Sequence, residues 1–203
     1  FLKQSIPAEI AGLSLWDQDG KRFSLSDRRG KTLVIANFLT SCQEVCPMIS
    51  AEMRNVAQAI SDAGLSSQAE VLEISVDGAR DLPARLHAYQ SLFPATDAWE
   101  LAAGSPADLA KLWNFFGVPA NKMDLSASEK ADMPKDWQTG QAATYDMSHP
   151  DVVLIVDAKG QWRWVDLANA NFKGELPAKL KAYLTDEGIA NLNQPEGPTW
   201  QVK

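Results

Sequence analysis

The sequence predicts an α/β fold in which helices cover a sheet with a parallel centre. The apolar run 33–38 has the composition of a buried strand, and residues 47–63 behind it repeat apolar side chains at helical spacing. A second apolar run, 71–76, is followed by another amphipathic segment. Strands and helices in this alternation form right-handed β-α-β units, whose strands are parallel.

Further elements are expected on both sides of the second strand. Two short apolar runs within residues 13–25 flank a turn containing Gly20, which predicts an N-terminal β-hairpin. A third helix is expected from Ser105, because Pro106 suits the first helical turn. The second helix is expected to present one apolar face, formed by Leu82, Leu86, Tyr89, Leu92 and Phe93.

The C-terminal half begins with a polar stretch, residues 121–143, which has no periodicity and predicts a long insertion or lid. A hairpin is then expected from the apolar runs 152–156 and 162–165, and a last helix over about residues 176–185.

The order of these elements indicates one domain. Strand, cysteines, helix, strand, helix, hairpin and helix follow one another as in a thioredoxin-like fold, here with an N-terminal β-hairpin extension and an inserted helix. We therefore predict a single thioredoxin-like domain over residues 1–190 and a C-terminal tail over residues 191–203.

The charge balance excludes some classes of function. The formal net charge is -7 and no basic run is present, so a nucleic-acid-binding surface is not expected.

No apolar segment reaches the roughly 20 residues that span a bilayer. Because the chain begins at Phe1 rather than Met, removal of a native leader or membrane anchor remains open.

The chain's two cysteines, Cys42 and Cys46, lie four positions apart at the junction of the first strand and its helix. A helix N-terminus favours the thiolate, the form of cysteine that binds metals and attacks disulfides. A structural disulfide would add little stability by closing so short a loop. A chain of 203 residues with 45% hydrophobic composition also buries a core without such a bond. We therefore expect a reactive pair.

Two histidines are present, and they have different surroundings. His149 lies just before the predicted hairpin strand, in the loop that faces the cysteines in a thioredoxin-like arrangement. His87 lies inside the second predicted helix, where a surface or packing role is expected.

Two thiolates and one imidazole form a soft set of ligands. Cys42, Cys46 and His149 are predicted to hold Cu(I) or Cu(II) in three-coordinate geometry, whereas a closed zinc site would normally take a fourth protein ligand. Four methionines are possible sources of an extra sulfur, although flexible packing is their commoner role: Met48, Met123, Met133 and Met147.

Over about residues 11–185 the chain resembles the Sco/SenC copper-binding proteins of the thioredoxin superfamily. The segments that carry the resemblance are Trp16 to Lys21, Gly30 to Thr32, Phe38 to Cys42, Cys46 and Pro47, Ser75 to Asp77 with Asp81, Phe116 to Val118, His149, and Leu154 to Asp157 with Gly160. The resemblance implies that Cys42, Cys46 and His149 are the metal ligands, and it places Asp77 near the metal. The chain departs from the family pattern at Gly78, where proline is frequent, and at Pro150, where a small hydroxyl residue is usual.

The resemblance also implies a function outside the cytoplasm. Such proteins are periplasmic or anchored to the outer face of the bacterial inner membrane, and they assist assembly of the copper site of cytochrome c oxidase. They supply copper to that site or reduce its cysteines. The implied partners are the copper subunit of the respiratory oxidase, other copper chaperones and a thiol reductant protein.

Other functions are compatible with the same residues. A metal-independent thiol-disulfide oxidoreductase would use Cys42 and Cys46 as catalytic residues, although their C-x3-C spacing differs from the usual C-x-x-C. A thiol peroxidase is a further alternative, although Thr40 precedes Cys42 by two residues where peroxiredoxins usually have three. A binding module that grips a partner with residues 121–143 would leave the cysteines and His149 without a role.

Overall fold

The computed structural model describes residues 3–168. Its strands and helices in chain order are β1 (Gln4–Ser5), α1 (Ala8–Ala11), β2 (Leu15–Asp17), β3 (Arg22–Phe23), β4 (Thr32–Phe38), α2 (Cys46–Asp62), β5 (Ala69–Ser75), α3 (Pro83–Gln90), β6 (Trp99–Gly104), α4 (Pro106–Phe115), β7 (Asn121–Asp124), α5 (Ala127–Asp132), β8 (Tyr145–Ser148), β9 (Val152–Val156) and β10 (Gln161–Leu167). A short 3-10 helix, Leu25–Arg28, precedes β4.

One eight-stranded sheet organises the domain, in the order β1-β10-β9-β4-β5-β6-β2-β3. Its centre is parallel, because β5 pairs in parallel with both β4 and β6, and the remaining pairs are antiparallel. The predicted N-terminal hairpin is present as β2 and β3, and the predicted C-terminal hairpin as β9 and β10. The prediction of an α/β fold with a parallel centre is confirmed.

The core lies between this sheet and helix α2. All seven residues of β4 and all seven of β5 are buried, as expected for central strands covered on both faces. Helix α2 packs against β5 with the apolar residues of one face, which are Ile49, Met53, Val56, Ala57 and Ile60. Burial of a large apolar side chain of this kind contributes about 1.5–3 kcal/mol. The packed helix therefore fixes the position of its own first turn, where Cys46 lies.

Helix α3 and strand β6 differ from the sequence prediction. Helix α3 is shorter than the apolar pattern indicated, and Leu82 and Leu92 lie just outside it with 53% and 62% of their surface exposed. The prediction that these two leucines belong to the buried face was wrong, because the chain leaves helical geometry on either side of residues 83–90. Strand β6 was not predicted, because its interior residues are mostly small and lack a clear alternation.

The polar stretch 121–143 is partly regular. It contains strand β7 and helix α5, and β7 pairs antiparallel with β8 to form a separate two-stranded sheet. Strand β8 ends at Ser148, so this small sheet leads directly into His149. The predicted last helix and the tail lie outside the described residues, and the domain limits 1–190 therefore stay a prediction.

Candidate metal centre

The two cysteines flank the start of helix α2 and differ in exposure. Cys46 is the first residue of the helix and is fully buried, whereas Cys42 lies in the preceding loop and is half-buried. Both are free thiols. The backbone N–H of Cys46 donates to Cys42 Sγ over 3.4 Å, so the Cys42 sulfur faces the N-terminus of the helix. Pro47 follows within the first turn, as predicted.

The two thiols differ strongly in acidity. The pKa of Cys42 is lowered to about 6, first by a hydrogen bond from the Cys46 thiol and then by backbone N–H groups of Cys46, Glu44 and Val45, which outweigh burial. The pKa of Cys46 is raised far above its usual value, because its thiol donates to Cys42 and is buried. Cys42 is therefore the thiolate at neutral pH and Cys46 keeps its proton. The helix N-terminus alone was expected to lower the Cys42 pKa, but the neighbouring thiol contributes more.

His149 lies between β8 and β9, and only 6% of its side chain is exposed. Its Nδ1 is 2.9 Å from the side-chain nitrogen of Asn37, a residue of central strand β4. One donor atom each from Cys46, His149 and Asp151 lies within 4.8 Å of the other two. The fold therefore brings the histidine and the buried cysteine together with a carboxylate that was not predicted from the sequence, and Cys42 is not part of this group of three.

A cavity of about 490 Å³ connects these groups to the surface. Its lining includes Cys42, Cys46 and His149, together with Met133 and Met147. These two are therefore the candidate methionines that line the cavity. The other two candidates, Met48 and Met123, do not line it and are exposed.

Residues of the polar stretch 121–143 form one wall of the cavity and bind the cysteine loop. Trp137 Nε1 donates to the carbonyl oxygen of Thr40 over 2.7 Å. Arg85 of helix α3 donates to the Asp136 carboxylate over 2.5 Å and also to the Thr40 hydroxyl. The Arg85 guanidinium holds the pKa of Asp136 well below its usual range. The predicted lid therefore lies along the candidate site, and these hydrogen bonds hold it there.

A second group of polar residues supports the cysteine loop from inside. Asp81 is fully buried and accepts hydrogen bonds from the Thr40 backbone and hydroxyl, at 3.1 and 2.5 Å, and from the Ser75 hydroxyl at 2.6 Å. Burial raises its pKa. Asp77 is also buried, and it accepts from the Tyr145 hydroxyl over 2.8 Å. Asp77, which follows the end of β5, is thus linked to a residue of the cavity wall.

The remaining residues singled out by the sequence lie away from the cavity. His87 is 64% exposed on helix α3, with Nδ1 3.5 Å from Asp19, so it is a surface residue as expected. Asp157 closes the turn between β9 and β10 by accepting the backbone N–H groups of Lys159 and Gln161.

The donor atoms present at the site fit a copper ion. Two sulfurs and one imidazole are the donors that Cu(I) prefers, and one of the sulfurs is already a thiolate. Asp151 Oδ1 is shielded from solvent and accepts no hydrogen bond from any group of residues 3–168. Four residues of the site were not predicted from the sequence: Asp151, Arg85, Asp136 and Trp137. The one available signal was a carboxylate two positions after the candidate histidine.

The sequence model of the SCO1/SenC family matches residues 6–185. The chain belongs to the SCO1/SenC family. This membership confirms the resemblance deduced from the motifs and, with the architecture described above, the thioredoxin-like fold.

Individual relatives are distant. Copper-bound ScoI of Bradyrhizobium japonicum is 26% identical, with a TM-score of 0.64 over 85% of this chain and 94% of that one. A Stutzerimonas stutzeri protein, provisionally named as copper-binding, is 26% identical over 76% of this chain and 67% of its own length. A SCO1 homologue of Bacillus subtilis is 24% identical over 51% of this chain, and the match spans about half of that protein, 53%. Within residues 3–168, no helix has the length and apolar character needed to cross a membrane.

Proposed function

We propose that this chain is an extracytoplasmic copper chaperone of the SCO1/SenC family, whose two cysteines also reduce a partner disulfide. The observation that carries the proposal is the meeting of Cys42, Cys46 and His149 at one cavity. Membership of the family and the copper-bound ScoI structure support the choice of metal.

Copper transfer follows from the unequal exposure of the ligands. Cys46 and His149 are buried, so they fix the position of the metal. Cys42 is half-buried and already deprotonated at neutral pH, so an incoming partner thiolate meets this ligand first. Exchange of one thiolate for another passes Cu(I) to the partner without a redox change.

Disulfide reduction uses the same pair in two steps. The Cys42 thiolate attacks one sulfur of the partner disulfide; the new bond is a mixed disulfide, and the other partner sulfur leaves as a thiolate. Cys46 then loses its proton and attacks Cys42, which frees the second partner thiolate. The partner is reduced by two electrons and the chain ends with a Cys42–Cys46 disulfide. That disulfide removes both sulfur ligands, so the two activities exclude each other at any moment.

The proposed recipient is the copper subunit of a respiratory oxidase, in the assembly of cytochrome c oxidase. The proposed setting is the periplasm or the outer face of the bacterial inner membrane. Copper donors among other chaperones, and a thiol reductant protein that restores the cysteines, complete the proposed set of partners. A net charge of -7 supports the exclusion of nucleic acid.

A metal-independent thiol-disulfide oxidoreductase is the second candidate. One thiol with a pKa of about 6 beside one that keeps its proton is the arrangement that an attacking and a resolving cysteine need. Thiol peroxidase activity has less support. The Thr40 hydroxyl already donates to Asp81 and accepts from Arg85, so it is not available to hydrogen-bond a peroxide.

Anaerobic titration of the reduced protein with Cu(I), against a chromogenic Cu(I) chelator, tests the proposal. The wild-type protein should bind one copper per chain, and the double variant Cys42→Ser, Cys46→Ser should bind none tightly. His149→Ala should weaken Cu(I) less than loss of a cysteine, because two thiolates remain. His87→Ala is the matched control, since it removes the other, exposed histidine.

Unchanged stoichiometry in the double cysteine variant would refute the copper site. Absence of tight copper binding by the wild-type protein, together with rapid reduction of a model disulfide, would favour the metal-independent oxidoreductase instead.

A further inference from the structure

The hydrogen bonds around Asn37 determine which nitrogen of His149 carries a proton in the metal-free protein. The backbone N–H of Val152 donates to Asn37 Oδ1 over 2.8 Å, so the amide oxygen is identified by its donor. The amide nitrogen therefore faces the Pro150 carbonyl oxygen and His149 Nδ1, each at 2.9 Å. An amide N–H group donates, so Nδ1 accepts, and a neutral His149 carries its hydrogen on Nε2.

This tautomer is the wrong one for binding a metal through Nε2. Nδ1 already accepts from Asn37 and lies 3.3 Å from the Pro150 carbonyl oxygen, so a metal would bind through the other ring nitrogen, Nε2. A neutral imidazole that binds a metal through Nε2 has its hydrogen on Nδ1. That hydrogen needs an acceptor, and the Asn37 N–H group cannot serve as one.

Asp151 supplies an acceptor at the required place. Its Oδ1 lies 3.4 Å from His149 Nδ1, is shielded from solvent, and receives no hydrogen bond from residues 3–168. A buried carboxylate oxygen without a donor is costly, so Oδ1 is free to accept a hydrogen bond from a neighbouring N–H group. The Pro150 carbonyl oxygen, 3.3 Å from Nδ1, already accepts from Asn37.

We propose that Asp151 is a positioning residue for copper: its Oδ1 accepts the Nδ1–H of His149 when Nε2 binds the metal. The inference rests on the proposed function. On binding, Nε2 releases a proton and Nδ1 takes one up, so the imidazole stays neutral and no electron moves. Asn37 stabilises the metal-free tautomer. In the metal-binding tautomer its N–H group would oppose the Nδ1–H, so the ring turns that hydrogen toward Asp151, and the histidine has a defined partner in both states. Carboxylates that accept from metal-bound histidines fix the ring and raise its basicity.

The first test measures Cu(I) affinity by chelator competition in three variants. Asp151→Leu removes the acceptor and should weaken binding by about 10–100-fold, the usual effect of losing such a partner. Asp151→Asn keeps an acceptor oxygen while it removes the charge, so it should recover most of the affinity. Asp146→Asn, which removes a carboxylate from another part of the same cavity lining, should leave the affinity unchanged.

The second test reads the tautomer directly in the wild-type protein, by long-range 15N–1H NMR of the His149 ring. The metal-free protein should show the hydrogen on Nε2, and the Cu(I)-loaded protein should show it on Nδ1. This measurement needs no variant, so misfolding of Asp151→Leu would not prevent a decision.

Three results would overturn the inference while leaving the copper site in place. The first is a metal-free protein that carries the hydrogen on Nδ1, and the second is wild-type Cu(I) affinity in Asp151→Leu. The third is a loss of affinity in Asp146→Asn equal to that in Asp151→Leu, because it would show that only the net charge of the cavity matters. A wild-type protein that binds no copper would instead overturn the proposed function, and this inference with it.

Discussion

Replacement of Glu73 by glutamine should stabilise the protein at neutral and alkaline pH. Glu73 lies on central strand β5 and is fully buried. Its carboxyl group accepts from the Ser50 hydroxyl over 2.8 Å and from Trp99 Nε1 over 2.6 Å, and Ser50 continues to the Tyr89 hydroxyl at 3.1 Å. These hydrogen bonds offset part of the cost of burial, but burial dominates and raises the pKa of Glu73 to about 7.

The size and sign of the effect follow from proton linkage. Below the ordinary glutamate pKa of 4.5, Glu73 is neutral in the folded and the unfolded chain, so its ionisation does not change the free energy of unfolding. Between that value and about 7 the unfolded chain loses its proton first, so the free energy of unfolding falls as pH rises. Since each unit of pKa difference is worth about 1.4 kcal/mol, the full loss is about 3 kcal/mol. Glutamine does not ionise, so Glu73→Gln should recover this amount.

Urea unfolding of both proteins at a series of pH values measures the difference. The advantage of Glu73→Gln should be near zero at about pH 4 and should reach about 3 kcal/mol at about pH 8. Glu70→Gln, on the same strand, is the matched control: it removes a carboxylate paired with Lys31 at 2.7 Å and should give no gain at any pH. A constant difference across the whole pH range would refute the argument, because it would show that packing rather than ionisation decides.

Three further predictions concern the cysteines and the wall of the cavity. Alkylation of Cys42 should titrate near pH 6, and Cys46→Ala should raise this pKa toward 9.0, because it removes the hydrogen-bonding thiol. Trp137→Phe removes the N–H group that binds the Thr40 carbonyl oxygen, a loss of about 1 kcal/mol, and should speed alkylation of Cys42 about fivefold. Oxidised protein should take up little Cu(I) until a reductant is added, whereas copper-loaded protein should resist alkylation.

Each of these predictions has its own control. An inflection for Cys42 near 9.0 in the wild-type protein would contradict the first. For the second, Trp162→Phe removes an indole N–H that donates to the Trp164 carbonyl oxygen, outside the cavity lining, and should leave alkylation unchanged. For the third, equal Cu(I) uptake by both redox forms, with the disulfide confirmed by mass spectrometry, would show that the cysteines are not the site.

The sequence predicts the central strands and the cysteine helix well because burial imposes a strong pattern on them. Strands β4 and β5 are continuous apolar runs broken by few polar residues, and helix α2 buries one face at helical spacing. Strand β6 was not predicted because its buried residues include Ala102, Ala103 and Gly104, which are too small to give a strong apolar pattern. Strand β7 was not predicted because all four of its residues are exposed.

The departure at Gly78 has a local explanation that the sequence alone does not provide. A Cβ atom at this position would lie 1.9 Å from the carbonyl oxygen of Gly104, at the end of β6. Proline carries a Cβ, so the residue frequent in the family would collide here. The reason depends on the approach of two segments far apart in the chain.

Part of the candidate site was predictable, because the topology of a thioredoxin-like sheet brings together residues that are distant in sequence. The rest of the site depends on contacts that no such rule predicts. The placement of His149 near Cys46 follows from where the ends of β4 and β9 meet in a thioredoxin-like sheet. The contacts of Arg85 and Trp137 with Thr40 cross 45 and 97 positions of sequence, and no periodicity or motif connects them. Only packing of the polar stretch against helix α3 brings these groups together.

The unequal acidity of the two thiols sets the proton count of metal capture. Above pH 6 Cys42 is already a thiolate, so the pair gives up a single proton, that of Cys46, when it becomes a metal ligand. Below that value it must give up two. The apparent binding constant should therefore rise about tenfold per pH unit above the Cys42 pKa and about a hundredfold per unit below it. A modest acidification of the surroundings would then weaken copper binding steeply, with no change in redox state.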